Sequence, residues 1–413
     1  MIQWIQLAET FRGIGGIFMS NYKISKPSLP DYDHCLVNFA NSILKHFGAE
    51  TTAPTLDMAD RYLEKDPRNV VVLLLDAMGV PILERHTSPD GFFRSHLVGP
   101  YSSVFPPTTV AATTSIDSGL YPCEHGWLGW DCYFPKLDKN VTVFLNCDPL
   151  LEKDLPPVPS EDPDAPAFPP QEECKPSADF HVAGTYCGYK SVITKIREAG
   201  GEAYYSTPFM EPYPKDLDAI LSRVTDLCQK PGKKYIYAYW NEPDTTMHRN
   251  GISGDAAHDV VNALEKRIDA FASTLPEDTL LFITADHGHM EGVNHCITDY
   301  PEIKDCLVRP FTIEPRALNF FVKEEKKAEF PVLFKQAFGD AFWLLTKEEV
   351  LEKHLFGKGK EHPEFRGMLG DYLAVAISDE SILQTYFETY YMIGGHAGST
   401  EEEYQIPLIV IEK

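Results

Sequence analysis

The segment VVVLLLD, residues 70–76, decides the fold class of this chain. It is continuous, β-branched and apolar, which is typical of a strand buried on both faces of a parallel sheet. Three further segments have the same character: KKYIYAYW (233–240), LLFITAD (280–286) and IPLIVIE (406–412). Helical patterns lie between them, as in residues 257–273. Strands that alternate with helices predict a three-layer α/β/α sandwich with a mainly parallel sheet.

The bulk composition restricts the partners of the chain. Its 413 residues allow two or three domains, and its 43% apolar and 24% charged residues are ordinary for a soluble globular protein. The formal net charge of −24 repels phosphate backbones and anionic lipids, so nucleic acid and membrane are not expected as partners. A small phosphate-containing substrate stays compatible with this charge, because a bound metal reverses the local field.

The cysteines and the N-terminus give an expectation for the subcellular localisation. Nine cysteines are scattered without a CxxC pair, which favours free thiols in a reducing compartment and predicts a cytoplasmic protein. The first residues lack a basic region typical of a signal peptide, and no run of 18 apolar residues occurs. Met19 opens a more ordinary polar start, so residues 1–18 are a candidate N-terminal extension.

The chain divides into a core and an insertion. Residues 19–292 and 389–413 carry the rhythm of buried strands followed by acids, and we assign them to the core. Residues 293–388 leave this rhythm and predict a small α/β cap insertion. Within the core, residues 150–180 are rich in proline and acids and predict a loop.

Acids follow three of the predicted strands. Asp76 and Asp286 end their strands, and Asp244 follows the third strand within NEPD. A single acid at such a position is more often a helix N-cap or a turn residue. In parallel sheets, however, ligands bind outside the carboxyl ends of the strands, where these three acids are expected to meet.

Histidines accompany these acids. His287 directly follows Asp286, His248 lies four residues after Asp244, and His396 stands among glycines before the last strand. Carboxylate oxygen and imidazole nitrogen are ligands that zinc accepts, with manganese as the alternative. Six such ligands are about enough for two metals roughly 3.5–4 Å apart, which would clamp the attacking and leaving oxygens of a displacement at phosphorus.

The segment FPPTTVAATTSIDSG, residues 105–119, offers a nucleophile for that chemistry. Its prolines favour an extended approach, and a helix is predicted to run from the threonines to Ser118 and to end at Gly119. Thr108 or Thr109 then lies at a helix N-terminus, where free N–H groups and the helix dipole favour an anion. The alternative is that both threonines only cap the helix.

Five separated motifs together resemble the alkaline phosphatase superfamily, in its nucleotide pyrophosphatase/phosphodiesterase-like branch. The motifs are LLLDAMG, FPPTTVAATTSIDSGLYPCEHG, PDTTMH, TADHGH and GGHAGSTEEEYQIPLIV. They occur in the family's order and cover roughly residues 68–131, 233–291 and 391–413. The resemblance implies an alkaline phosphatase-like core and hydrolysis of phosphodiester or pyrophosphate bonds in small nucleotide-like substrates.

The resemblance also implies roles for individual residues. One metal, most simply zinc, would be held by Asp244, His248 and His396. The other would be held by Asp76, Asp286, His287 and the nucleophile oxygen. Alignment of the family's FPT-x-T pattern without gaps selects Thr109 as the nucleophile, which implies a phospho-threonine intermediate.

The chain departs from the family pattern near the nucleophile. The nucleotide-hydrolysing branch has an asparagine that donates to the phosphoryl oxygen, and this chain has Trp130 there. Trp127 and Trp130 are candidates to line a pocket for a flat group, with core packing as the alternative. His289 is a further candidate substrate-binding residue, with a surface role as its alternative.

Other functions stay open at this stage. A phosphomonoesterase, a phosphonate hydrolase of the phosphonoacetate type or a phosphomutase could use the same ligand set. A non-catalytic phosphate-binding protein is a rival of another class, although phosphate binding alone requires neither two metals nor a hydroxyl nucleophile. A sulfatase is not expected, because no cysteine stands at the nucleophile positions.

Overall fold

The computed structural model describes residues 24–149 and 174–413. The candidate extension at residues 1–18 and most of the proline-rich segment 150–180 lie outside the described residues. The described strands, in chain order, are β1 (Asn69–Leu75), β2 (Leu97–Ser102), β3 (Asp131–Phe134), β4 (Lys139–Thr142), β5 (Glu202–Ser206), β6 (Lys234–Trp240), β7 (Thr279–Thr284), β8 (Met290–Glu291), β9 (Val293–Cys296), β10 (Thr312–Glu314), β11 (Ala317–Phe320), β12 (Phe342–Thr346), β13 (Tyr372–Ala376), β14 (Glu380–Leu383), β15 (Gly394–Gly395) and β16 (Gln405–Glu412).

The helices surround these strands. They are α1 (Leu36–His46), α2 (Asp57–Leu63), α3 (Val80–His86), α4 (Phe92–Ser95), α5 (Thr109–Ser118), α6 (Pro122–His125), α7 (Val182–Tyr186), α8 (Val192–Glu198), α9 (Leu217–Gln229), α10 (Asp244–Asn250), α11 (Asp255–Thr274), α12 (Pro301–Lys304), α13 (Phe330–Phe338), α14 (Lys347–Glu352), α15 (Phe365–Met368), α16 (Tyr386–Tyr391) and α17 (Glu401–Tyr404). Short 3-10 turns occupy Ile297–Asp299 and Glu324–Lys326.

A six-stranded central sheet confirms the predicted fold class. Its order is β2-β16-β7-β1-β6-β5. Strand β1 pairs in parallel with β6 and β7, and β5 pairs in parallel with β6. Strand β16 pairs antiparallel with both β7 and β2. Every residue of β1 and β7 is buried, which explains why both segments are apolar without alternation.

The sheet order brings the three acids to one edge. Strand β1 lies between β6 and β7, so the carboxyl ends of these three strands are neighbours. Asp76 directly follows β1, Asp286 follows β7, and Asp244 begins α10 after β6. A backbone hydrogen bond also joins the segments that follow β1 and β6, because the Asp244 N–H donates to the Asp76 carbonyl at 3.2 Å.

A second six-stranded sheet covers this edge of the molecule. Its order is β12-β13-β11-β10-β3-β4, and all its pairings are antiparallel. Strands β10 to β13 come from the predicted insertion, whereas β3 and β4 precede it in the chain. Part of the insertion has an apolar cluster of its own that includes Phe320, Phe330 and Phe334. The predicted boundaries of the cap, residues 293–388, stay a prediction.

Helix α5 has the predicted bounds. Its N-cap is Thr108, and it ends at Gly119, which has φ +71°. This left-handed conformation favours glycine, and it stops the helix after Ser118. Small side chains in α5 allow it to pack against α1 without a large apolar stripe.

The cysteines differ from the expectation in one respect. Cys147 and Cys174 form a disulfide, because bridges from Cys147 to Thr142 and Pro176 align the two chain segments. The other seven cysteines are free and buried. The cytoplasmic localisation stays a prediction. Among the described residues, no helix has the length and apolar character needed to cross a membrane.

Candidate active site

The carboxyl edge of the central sheet holds a buried cluster of acids and histidines. Three groups have ligand atoms that all lie within 4.8 Å of one another: Asp76, Asp286 and His287; Asp244, His248 and His289; and Asp244, His287 and His396. The structure thus brings together all six metal ligands predicted from the sequence. It adds His289, which the sequence suggested only as a substrate contact.

The first group surrounds Asp76. His287 Nε2 lies 3.3 Å from Asp76 Oδ1 and 3.8 Å from Asp286 Oδ2. Asp286 Oδ1 accepts from the N–H groups of Ala77 and His287, both at 3.0 Å, which fixes the carboxylate. The Tyr239 hydroxyl donates to Asp76 Oδ2 and orients that carboxylate in turn.

Asp244 is the centre of the other two groups. Its Oδ1 lies 3.3 Å from His248 Nε2, 3.4 Å from His289 Nε2 and 3.9 Å from His396 Nε2. Asp244 and His248 are four residues apart in α10, and they face the same side as predicted. His396 reaches the cluster from the glycine-rich loop after β15.

All four histidines are oriented in the same way. In each of them, Nδ1 contacts a backbone carbonyl. The partners are Gly394 for His248 (2.8 Å), Gly288 for His287 (2.8 Å), Met290 for His289 (3.2 Å) and Pro107 for His396 (3.3 Å). A proton on Nδ1 leaves the lone pair of Nε2 directed into the cluster. This is the arrangement that orients histidines for metal binding.

The electrostatics of the cluster favour a cation. Burial, followed by the charges of Asp286 and Asp244, raises the pKa of Asp76 well above its usual range. Burial likewise raises the pKa of Asp286 to about 7. Burial alone would raise the pKa of Asp244, but the imidazoles of His248 and His289 outweigh it and lower that pKa.

Buried atoms without partners test whether a metal fits. Among the described residues, Asp244 Oδ1, Asp286 Oδ2 and His289 Nε2 are buried and have no hydrogen-bond partner. A buried polar atom without a partner is costly, and divalent ions bound at the cluster would satisfy these atoms. Oxygen and imidazole donors in this number suit such ions, so the cluster is a candidate metal-binding site.

The two threonines of the FPPTT segment point to different partners. Thr109 Oγ1 lies 3.2 Å from His287 Nε2 and 3.4 Å from Asp76 Oδ1, within the first group. Thr108 Oγ1 instead donates to Glu314 Oε1 at 2.6 Å. The Thr109 hydroxyl is therefore the one in place to join a metal shell at this cluster.

A cavity of about 310 Å³ opens beside the cluster and is lined by both threonines, Trp130, Asp244 and His396. Trp130 is 44% exposed, and it stands where the resemblance led us to expect an asparagine. Trp127 does not line this cavity. Its Nε1 donates to the Cys187 carbonyl at 2.9 Å, and its side chain lines a second cavity of about 630 Å³.

Glu314 is one of the cavity residues that the sequence analysis did not identify. It ends β10 in the insertion, and its carboxyl accepts from Thr108 Oγ1 and from the Trp130 N–H, the latter at 2.8 Å. Burial raises the pKa of this carboxyl to about 8. No motif marks Glu314, because only the pairing of β10 with β3 brings it to the cavity.

The fold and the cluster define the class: an α/β protein with a candidate metal site at the carboxyl edge of a mainly parallel sheet. The model of the type I phosphodiesterase/nucleotide pyrophosphatase family matches residues 70–365, more than half of the chain. The chain belongs to this family, and it is a hydrolase of the phosphodiesterase/pyrophosphatase type. This confirms the family resemblance seen in the sequence.

Solved structures agree on the fold. Murine ectonucleotide pyrophosphatase/phosphodiesterase 5 is similar with a TM-score of 0.60 and 16% identity, over 83% of this chain and 88% of that one. The human protein of the same name has a TM-score of 0.60 and 15% identity, over 83% and 87%. An inactive variant of the murine protein, in complex with AMP, has a TM-score of 0.58 and 16% identity, over 82% and 87%. No curated protein matches the chain by sequence.

Proposed function

We propose that the chain hydrolyses phosphodiester or pyrophosphate bonds of small nucleotide-like substrates, with Thr109 as nucleophile and two divalent ions bound at the Asp/His cluster. The position of Thr109 Oγ1, 3.2 Å from His287 Nε2 and 3.4 Å from Asp76 Oδ1, carries the proposal. The AMP bound to the inactive murine relative supports a nucleotide-like substrate.

The assignment of ligands is the one that the family resemblance implies, and its first set contains the group of Asp76, Asp286 and His287. Asp76, Asp286, His287 and the Thr109 oxygen would hold one ion, and Asp244, His248 and His396 the other. His289 lies near enough to Asp244 to ligate the second ion or to orient its carboxylate. Zinc suits the mixed oxygen and nitrogen donors best, with manganese as the alternative. Such ions would lower the pKa of the threonine hydroxyl and neutralise the phosphoryl oxygens.

The residues of the chain account for two displacements at phosphorus. In the first, Thr109 Oγ1 forms a bond to phosphorus, and the bond from phosphorus to the leaving oxygen breaks. In the second, water attacks the phospho-threonine and restores the hydroxyl. The first turn of α5 begins at Thr109, so its free N–H groups and its dipole favour the phosphoryl anion in both steps.

The nucleophile assignment is tested with neighbouring threonines. Thr109→Ala should lower kcat by roughly a thousandfold or more on metal-loaded protein, whereas the matched control Thr108→Ala should retain much of the activity. Phosphate trapped on wild-type protein from a labelled substrate, and absent from Thr109→Ala, would identify the intermediate. Loss of activity in Thr108→Ala alone would refute this assignment.

The substrate class and the metal content need separate measurements. A phosphomonoester or a phosphonate could use the same groups, so bis(p-nitrophenyl) phosphate and p-nitrophenyl phosphate should be compared side by side. We expect faster turnover of the diester, and metal analysis should find close to two ions per chain. Protein that stays metal-free in metal-replete buffer would contradict the mechanism and favour the binding-protein alternative.

A further inference from the structure

Part of the lining of the cavity beside the Asp/His cluster is acidic. Glu314 from β10, Asp131 from β3 and Glu388 from α16 line the same cavity as Thr109. These carboxyls are close enough to influence one another, since the charge of Asp131 raises the pKa of both Glu314 and Glu388 in addition to the larger effect of burial. We call these three residues the acidic wall.

Within the acidic wall, Glu314 contacts the FPPTT segment that carries the nucleophile. It is 7% exposed, and its Oε1 accepts from Thr108 Oγ1 at 2.6 Å and from the Trp130 N–H at 2.8 Å. Its Oε2 has no hydrogen bond to any described residue. The carboxyl is therefore fixed one residue away from Thr109, with one oxygen left for a substrate.

No cationic side chain balances the acidic wall. Among the described residues that line the cavity, none is lysine or arginine, and the basic groups are His248 and His396 of the cluster. The cluster itself is close to neutral when loaded, because two divalent ions oppose three aspartates and the threonine oxygen. A negative group beyond the scissile phosphate would meet like charge without compensation.

Burial disfavours the ionised form of all three carboxyls of the acidic wall. Burial raises the pKa of Asp131 to about 6, of Glu388 to about 7 and of Glu314 to about 8. These carboxyls can respond to a nearby anion by taking up a proton. All three carboxyls are ionised only above about pH 8, and a phosphoethyl group is then a dianion, because its second pKa is about 6.

Part of the remaining cavity lining is apolar and aromatic, beside polar residues such as Asn294 and Gln384. Trp130 is 44% exposed, and Phe311, Leu383 and Met392 complete this surface. An uncharged flat or alkyl group gains contact here by leaving water. A quaternary ammonium group would gain both from the ring of Trp130 and from the acidic wall.

We propose that this cavity accepts the uncharged or positively charged substituent of a phosphodiester and disfavours a substrate with a second phosphate next to the scissile one. The inference rests on the proposed function and narrows it to phosphodiesters rather than pyrophosphates. Glu314 is the main specificity-determining residue in this scheme.

Three p-nitrophenyl phosphodiesters with one leaving group test the proposal. Their second substituent is ethyl, 2-(trimethylammonio)ethyl or 2-phosphoethyl, and all are assayed by p-nitrophenol release on metal-loaded protein above the pKa of the acidic wall. We expect kcat/KM for the ethyl and trimethylammonioethyl esters to exceed that for the phosphoethyl ester by about tenfold or more. Equal values, or a preference for the phosphoethyl ester, would overturn the inference.

A variant locates the effect. Glu314→Gln keeps an oxygen that can accept from Thr108 and Trp130 but removes the charge. The ratio of kcat/KM between the ethyl and phosphoethyl esters should therefore fall several-fold. Glu325→Gln, at an exposed position of the insertion, changes the net charge equally and should leave the preference unchanged. An unchanged preference in Glu314→Gln would refute the role of Glu314. If that variant does not fold, the proposal is decided by the ratio of kcat/KM values for the three esters on the wild-type protein.

The outcomes separate this inference from the proposed function. If neither the three diesters nor a nucleotide pyrophosphate is cleaved, the proposed function fails; if only the pyrophosphate is cleaved, the proposed function stands and this inference fails. If all are cleaved without regard to charge, the proposed function stands and the acidic wall does not select.

Discussion

Replacement of Arg316 by methionine should destabilise the protein by about 3–5 kcal/mol, since it leaves a buried charge unpaired. Arg316 is 1% exposed, and it donates to both oxygens of Glu403 at 2.7 and 3.0 Å. It also donates to the carbonyls of Glu380 and Ser378 at 2.9 and 2.8 Å. The carboxylate of Glu403 is fully buried, so it cannot regain water when the guanidinium is removed.

The free energy of unfolding, from denaturant titration of apo protein, measures this cost. Arg366→Met is the matched control, because Arg366 pairs with Glu361 at the surface, where such a pair is worth about 1 kcal/mol or less. Adding Glu403→Gln to Arg316→Met should recover part of the loss by removing the unpaired charge. Equal costs for Arg316→Met and Arg366→Met would refute the reasoning.

Three further predictions concern the site and its support. Tyr239→Phe removes the hydroxyl that orients Asp76 and should weaken metal affinity roughly 10–100-fold in competition with a chromogenic chelator; unchanged affinity would contradict this. Gly288→Ala places a Cβ 1.9 Å from the Glu402 carbonyl oxygen, so unfolding free energy should fall by at least about 1–3 kcal/mol and metal content should drop. Burial lowers the pKa of His125 from 6.5 to about 3. As the pH falls below about 6.5, the imidazole is therefore protonated in the unfolded chain before it is protonated in the folded one, and the free energy of unfolding decreases down to about pH 3. His125→Gln should remove this part of the acid sensitivity, as seen by unfolding at about pH 7 and pH 5.

Much of the fold could be predicted because its signals are local. Residues 70–75 are apolar at every position, as is typical of a central strand of a parallel sheet that is buried on both faces. Gly119 marks the end of α5, since its φ of +71° suits glycine. The acids after β1, β6 and β7 could be placed together, because parallel strands deliver their carboxyl ends to one edge.

The rest of the site depends on long-range contacts that leave no trace in sequence. Glu314 stands in an ordinary strand of the insertion, and it reaches the cavity only through the pairing of Ile313 with Asp131. His289 is separated from its neighbour Asp244 by 45 positions, and its burial at 1% exposed follows from tertiary packing. Trp127 and Trp130 are three residues apart, yet they face different cavities, because the chain turns between α6 and β3.

The layout of the two sheets has a consequence for how this enzyme could diversify. The Asp/His cluster is carried by the parallel sheet, the helix that follows β6 and the loop before β16, whereas Asp131 and Glu314 belong to the antiparallel sheet. Substitutions in the second sheet can therefore change which molecules are accepted while the hydrolytic centre keeps its geometry. Laboratory evolution for new substrates should accumulate changes in β3 and β10 and leave β1 and β7 untouched.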